Sequence, residues 1–400
     1  MAGLIRFAFH NFNLSRLPLR ASGAGAFFFT TNDYSPVPAG VSLFAMSAAE
    51  PVKLTITDVA FGGKGVARDA GKVFFVPFTI TGETVTALPV RSKKSFAEAE
   101  LVSVETPSPD RVEPRCPYFG HCGGCAYQHI AYPSQLEIKS RQVEQTLRRV
   151  GRLEHVPMRP IVASPTDYGY RNRIRVHVEG GQAGFYANAS HELVDVESCP
   201  IAAPEVNEAL ARLRRAVVQD GDYTLWGRER SAFFEQTNDA VAAELIRLVQ
   251  ETVRPNQSLL VDAYCGAGFF AKRLGDRFPA VIGIEENTHA IEQARRTADA
   301  HERYIAGDVS VFLGEILAAN DPQTTTVVLD PPAIGIAPRV ADLLMGSRPS
   351  EILYVSCNPA TLARDLGLLC RGAYRLEAVT PVDMFPQTAE IEVIAHLVAT

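Results

Sequence analysis

Three sets of residues in this 400-residue sequence carry chemistry by their type and spacing. The first is Cys357, in Ile352-Leu-Tyr-Val-Ser-Cys-Asn-Pro359, where an apolar run meets a turn. A thiol is a strong nucleophile once ionised. Taken alone, a cysteine at a strand end reads as a small buried filler. The second set is Cys116, Cys122 and Cys125, spaced C-x5-C-x2-C among glycines, with Cys199 further along. Four thiolates suit zinc or an iron–sulfur cluster. Zinc is the commoner occupant of four-cysteine sites. Three clustered cysteines with one remote partner, the first and last each followed by proline, favour [4Fe–4S]. With four protein ligands such a cluster has no open iron, so the role expected of it is structural. The third set is a row of glycines and carboxylates: Asp262, Gly266, Gly268, Glu285, Asp308 and Asp330.

These residues need elements to position them. After Pro255 the chain alternates short apolar runs with helical stretches, the pattern of a doubly wound sheet. Ser258-Leu-Leu-Val-Asp262 reads as a buried strand, followed by Gly266 and Gly268 at a turn into a helix. Ala280-Val-Ile-Gly-Ile-Glu285 is a second strand ending in a carboxylate, at the usual distance for gripping ribose hydroxyls. Gly307-Asp308 follows a third strand region and offers an adenine contact. Val327-Val-Leu-Asp330 and Ile352–Cys357 end the fourth and fifth strands. Ligands of such sheets bind at the carboxyl ends of the strands, which puts Cys357 at the mouth of the crevice. Loop, strand and terminal acid together point to S-adenosylmethionine.

Upstream, Val52–Thr57, Lys72–Pro77, Glu83–Val90 and Ala99–Val104 read as short strands separated by turn glycines, including Gly62, Gly63 and Gly65. That spacing predicts a small barrel of the OB type, with Arg91, Lys93 and Lys94 available to phosphates. Tyr132 to Val150 has helical periodicity; its charges, Lys139, Arg141, Arg148 and Arg149, read as a solvated face. Tyr170–Val178 alternates, which predicts Arg171, Arg173 and Arg175 on one face of a strand, either tracking an RNA backbone or salt-bridged. His121 and His129 are further candidate metal ligands, with surface or packing roles favoured. Cys265, Cys370 and Trp226 read as core.

Composition agrees with a globular chain: 46% hydrophobic, 21% charged, net charge −6. Any nucleic-acid surface must therefore be local. No apolar run reaches the roughly 18–20 residues of a membrane span. Seven cysteines, an odd number with three clustered, argue for a reducing cytoplasm and against a disulfide scaffold. The first 45 residues hold Arg6, Arg16 and Arg20 and no acidic residue before Asp33, a composition similar to an organellar transit peptide. A non-native upstream extension with Met46 as the working start is the reading favoured, and either way poor order is expected there.

These motifs together resemble the RNA (uracil-5-)-methyltransferase family from about residue 50 onward, in particular its TRAM-domain, [4Fe–4S]-containing branch acting on 23S rRNA. The resemblance rests on Ser356-Cys-Asn-Pro359, on Asp383-Met-Phe-Pro-Gln-Thr388, on the cysteine spacing, and on the TRAM-like Phe61-Gly-Gly-Lys-Gly-Val-Ala-Arg68. It implies Cys357 as nucleophile and Glu392 as general base, with Glu390 a near competitor. It implies Gln236, Tyr264, Gly266, Gly268, Glu285, Asp308 and Asp330 at the cofactor, and Cys116, Cys122, Cys125 and Cys199 on the cluster. The chain departs from the family's pattern at Ala333, where arginine is usual, at Phe269 and at Asp308. The implied organisation is an N-terminal extension over 1–48, a TRAM-like barrel over 49–110, a central α+β iron–sulfur and RNA-binding domain over 111–235, and a methyltransferase domain over 236–400. The implied partner is RNA, ribosomal first and transfer RNA second, with no membrane and no obligate protein partner.

The chemistry itself limits the alternatives. Uracil C5 is too weak a nucleophile to take a methyl group until a thiolate adds at C6. A cytosine C5-methyltransferase shares that addition but commonly uses a second motif cysteine, and Asp330-Pro-Pro332 holds none. A non-catalytic RNA-binding iron–sulfur protein is the alternative from another class.

Overall fold

A computed structural model of the chain describes residues 50–188, 190–227 and 236–400. The extension over 1–48 lies outside the described residues. Ala49–Thr400 forms one compact unit.

Period-two alternation of small and branched apolar residues builds the first layer. Strands β1 (Val52–Val59), β2 (Lys64–Asp69), β3 (Lys72–Pro77), β4 (Thr84–Ser92) and β5 (Phe96–Thr106) close into a barrel in the order β1-β2-β3-β5-β4. Leu54, Ile56, Val76, Val85, Ala87, Ala97 and Ala99 fill it. The strand β2 was not legible in the sequence. Its Lys64-Gly-Val-Ala-Arg-Asp has too few apolar residues to alternate clearly, and pairing to β1 and β3 makes it a strand. The β1–β2 turn carries Gly63 at φ 88°. A Cβ there would stand 2.8 Å from Ala126 Cβ, so glycine lets the barrel turn seat on the cysteine loop.

Helix α1 (Tyr132–Arg149) starts with Pro133 in its first turn and leads to a four-stranded antiparallel sheet. That sheet has the order β8-β7-β6-β9, with β6 Arg173–Glu179, β7 Gln182–Tyr186, β8 Leu193–Asp195 and β9 Gly221–Trp226. Helix α2 (Pro204–Arg215) lays Val206, Leu210 and Leu213 on its Ile174, Val176 and Val178.

The largest layer is a seven-stranded sheet of β10 (Leu259–Ala263), β11 (Ala280–Glu285), β12 (Glu302–Ala306), β13 (Thr325–Leu329), β14 (Glu351–Ser356), β15 (Tyr374–Val382) and β16 (Glu392–Ala399). Its order is β12-β11-β10-β13-β14-β16-β15. The first five are parallel, and β16 inserts antiparallel between β14 and β15. Strands β10, β13 and β14 are buried along their whole length, as expected of strands covered on both faces. One face is covered by α1, α6 (Val309–Ala319), α7 (Pro338–Ser347) and α8 (Pro359–Leu369), the other by α3 (Asp239–Thr252), α4 (Ala271–Leu274) and α5 (Thr288–Arg296). The strand order reverses between β10 and β13, which opens a crevice above their carboxyl ends.

Candidate active site

Register brings the reactive groups together. Strands β13 and β14 run parallel with Leu329 opposite Tyr354, so Asp330 and Cys357 emerge at one edge. Strand β16 enters that edge in the opposite direction, with Val393 paired to Ser356. Its first residue, Glu392, therefore stands beside Cys357. Three neighbouring strands thus deliver Asp330, Cys357 and Glu392 to one place.

The turn holding Cys357 explains the Ser-Cys-Asn-Pro sequence. Asn358 caps α8, its Oδ1 accepting from Ala360 N–H at 3.0 Å, while its Nδ2 donates to the Ala333 carbonyl at 3.1 Å. Pro359 opens the helix. Ser356 Oγ accepts from Asn358 N–H at 3.2 Å and fixes the bend. Cys357 is left exposed just ahead of a helix N-terminus, where the helix dipole favours a thiolate. Against this, partial desolvation around Sγ and then the carboxylates of Glu392 and Asp330 push its thiol up to about 11.

Those carboxylates are themselves unusual. Glu392 is buried, and burial followed by the charges of Asp330 and Glu390 holds its carboxyl well above the usual carboxylate range. Burial brings Asp330 to about 7. Asp262, wholly buried, reaches about 8 through desolvation, opposed by its hydrogen bond from Ala271 N–H at 2.7 Å. Its Oδ1 has no hydrogen-bond partner. The crevice is an acidic site in which protons stand in for missing positive charge.

The remaining cofactor candidates surround the same crevice. Tyr264 adopts φ 68°, and Gly266 and Gly268 have φ 53° and 88°, so the chain after β10 curls left-handed over the sheet edge. Glu285 ties that loop to the next strand: its Oε2 accepts from Gly266 N–H at 3.3 Å and its Oε1 from Asn287 N–H at 2.8 Å. Tyr264 lies in the field of Asp308, though burial is the main cause of its raised pKa. Asp308 is exposed and caps α6 by accepting from Ser310 N–H at 2.6 Å. Gln236 is buried ahead of α3, with its carbonyl held by Asn172 Nδ2 at 2.8 Å.

The segment Asp383–Thr388, which leads into β16, is held by α1. Lys139, expected on a solvated face, is instead fully buried and pairs with Asp383 at 2.6 Å. Tyr132 donates to the same carboxylate at 2.9 Å. Gln135 and Gln387 exchange hydrogen bonds, Gln135 Nε2 to Gln387 Oε1 at 2.9 Å and Gln387 N–H to Gln135 Oε1 at 3.1 Å. The Gln387 carbonyl accepts from Ala126 and Tyr127 N–H, so one residue ties α1, the cysteine loop and the segment leading into β16. The signal available in the sequence was spacing. Gln135, Lys139 and Gln142 recur at i, i+4 and i+7, a polar stripe on one helical face beside Ile138 and Val143.

The three arginines also differ from expectation. Only Arg173 and Arg175 belong to β6, and Arg175 pairs with Asp222. Arg173 lies over the Trp226 ring. Arg171 precedes the strand, stacks on Phe385 and lies 3.8 Å from Glu390. The strand face thus carries two of the three arginines, and Arg175 takes the salt-bridged alternative. His129 is a packing residue, buried between Phe78 and Phe119. Cys265 is buried as expected; Cys370 is only half-buried.

Cys116, Cys122, Cys125 and Cys199 line one cavity of about 210 Å³, together with Phe119, Ile174 and Val196. Asn207 fixes Cys199, accepting from its N–H at 2.8 Å and donating to its carbonyl at 3.0 Å. Burial raises all four thiols, Cys125 to about 12 and Cys199 to about 11. Among the described residues, no group of three or more His, Cys, Asp or Glu converges closely enough to hold a metal ion. The four thiols line this void together. Such a set could hold a single zinc ion, at about 2.3 Å from each sulfur, or a cluster that takes each thiolate on a separate iron.

Comparison with known proteins agrees with this architecture. A model of the tRNA (uracil-5-)-methyltransferase family matches residues 313–399. An uncharacterized RNA methyltransferase of Protochlamydia amoebophila is 31% identical over 86% of this chain and 96% of its own. Another, from Bdellovibrio bacteriovorus, is 33% identical over 86% of this chain and 94% of its own. The crystal structure of Pyrococcus abyssi tRNA (uracil-54, C5)-methyltransferase in complex with S-adenosyl-L-homocysteine is 25% identical, with a TM-score of 0.64. It covers 87% of this chain and 100% of that one. The chain belongs to the RNA (uracil-5-)-methyltransferase family.

Proposed function

We propose that the protein methylates C5 of a uridine in structured RNA through a covalent bond between Cys357 and uracil C6. The observation that carries this reading is the convergence of Asp330, Cys357 and Glu392 on neighbouring strand ends. Cys357, which is exposed, gives up its proton to solvent and attacks C6 as thiolate, and the C5–C6 electron pair moves to the C5–C4–O4 enolate. S-adenosylmethionine, bound over Tyr264, Gly266, Gly268 and Glu285 with Asp262, Asp308, Asp330 and Gln236 nearby, would supply the methyl group to C5. Glu392, as carboxylate, then takes the C5 proton, the C6–S bond breaks, and the thiolate leaves. Per turnover one methyl is gained and one proton released. Glu392 suits the base role better than Glu390, whose side chain is 65% exposed and faces Arg171.

The acidic crevice supports a cationic methyl donor. Glu392, Asp330 and Cys357 would each ionise more readily beside a bound sulfonium, whose charge would offset their burial and mutual repulsion. The cysteine cavity supports a [4Fe–4S] cluster held by Cys116, Cys122, Cys125 and Cys199, with a structural role. Ribosomal RNA is the substrate we favour, transfer RNA the second. Seven free thiols fit a reducing compartment. No helix among the described residues is long and apolar enough to cross a membrane.

The test is anaerobic purification with an absorption spectrum and metal analysis, then labelled methyl transfer to unmodified rRNA and tRNA. We expect iron with a broad visible absorption shoulder, 5-methyluridine in the digest, and a stable adduct with 5-fluorouridine RNA that Cys357→Ala abolishes. Zinc in place of iron removes the cluster alone. An adduct that persists in Cys357→Ala removes the nucleophile assignment.

A further inference from the structure

The turn after Asp330 presents one large apolar side chain to solvent, on a bend tied to the helix that follows Cys357. Pro332 to Gly335 form a tight bend, Gly335 N–H donating to the Pro332 carbonyl at 2.8 Å. Helix α8 holds this bend along its length. Asn358 Nδ2 and Thr361 Oγ1 donate to the Ala333 carbonyl at 3.1 and 3.0 Å. Arg364 Nη2 donates to the Ile334 carbonyl at 2.9 Å, and Ile336 N–H donates to Asp365 Oδ2 at 3.0 Å. Gly335, at φ 79°, lies so close that a Cβ would stand 2.4 Å from Asp365 Oδ2. Ile336 turns into the core. Ile334 turns outward and is 75% exposed.

Lone exposed aliphatic residues are ordinary on protein surfaces. This one differs in three respects. Its own carbonyl is held by Arg364 of α8, its β-branch leaves few rotamers, and the Ala333 carbonyl just before it is held by Asn358, the immediate neighbour of Cys357. Ala333 beside it is too small to cover it. A uridine within a stack cannot reach a thiol at the end of a sheet, so it must swing out, and the vacated space is best filled by an apolar side chain.

We propose that Ile334 is the wedge that enters the RNA stack where the target uridine leaves it. This rests on the uridine methylation reading above. Removing the wedge should slow reaction with structured RNA and spare RNA whose uridine is already unstacked.

The experiment compares adduct formation on a structured 5-fluorouridine transcript with that on a short unstructured 5-fluorouridine oligonucleotide of the same target sequence. For Ile334→Ala we expect a loss of about tenfold on the transcript and a change within about twofold on the oligonucleotide. Ile334→Leu should restore most of the transcript rate. Equal slowing on both RNAs, or no slowing on the transcript, overturns the wedge while wild-type trapping leaves the methylation reading standing. A wild type that traps neither RNA overturns both.

Discussion

Two buried carboxylates nine residues apart, Asp383 and Glu392, are treated in opposite ways by the fold. Asp383 is paired with the buried Lys139 at 2.6 Å and accepts from Tyr132 at 2.9 Å. Burial lowers the Lys139 pKa, and the attraction of Asp383 works against that. Glu392 is equally buried but faces other carboxylates, Asp330 and Glu390. A buried charge with its counter-charge in place is a finished structural joint. One held among like charges is balanced only by taking a proton or by the arrival of a cation. The joint at Asp383 fixes the segment whose end carries Glu392. In the mechanism proposed above, the stable pair aims the unstable one.

The sharpest way to break the comparison is Glu392→Gln. If the base acts after methyl transfer, turnover falls by about 10²–10⁴, and a covalent protein–RNA complex accumulates on natural uridine, visible as a shifted band in denaturing gels. Should Glu390→Gln do this and Glu392→Gln turn over normally, the two residues exchange roles. Next in size is Lys139→Met, which strands Asp383 without its counter-charge and should cost about 3–5 kcal/mol in denaturant unfolding. Combining it with Asp383→Asn should recover part of that loss. No recovery would mean that packing of the lysine stem, not charge, carries the effect.

The smallest effect concerns pH. Asp330 has a folded pKa raised to about 7, above its ordinary value, so the folded protein binds the extra proton. Its contribution to stability is therefore present at pH 4 and below and is lost as pH rises through about 7. Asp330→Asn should leave the melting temperature nearly unchanged near pH 4 and raise it by about 2 °C or more at pH 8. A uniform shift at both pH values would show that Asp330 matters through packing alone.

How much of this was legible varied with the kind of signal. The α/β alternation, the strand carrying Cys357 and the helix from Tyr132 to Arg149 follow from apolar periodicity, which is local. The strand β2 did not follow, because a strand with only Val66 and Ala67 among charges and glycine forms only when both neighbours pair with it. Lys139 departs from the solvated face its charge suggests, because the distant Asp383 balances that charge inside the core.

The sequence alone determined which groups can react: one thiol after an apolar run, four further cysteines, and acids at strand ends. These are properties of residue type and short-range order. The tertiary structure decided which of them meet. The antiparallel entry of β16 sets Glu392, not Glu390, in the crevice beside Asp330. The fold as a whole opens a void among four cysteines spread from position 116 to 199 and leaves Ile334 exposed. Those outcomes depend on strand register and on long-range burial, which sum the whole chain's contacts and leave no mark in any short window of it.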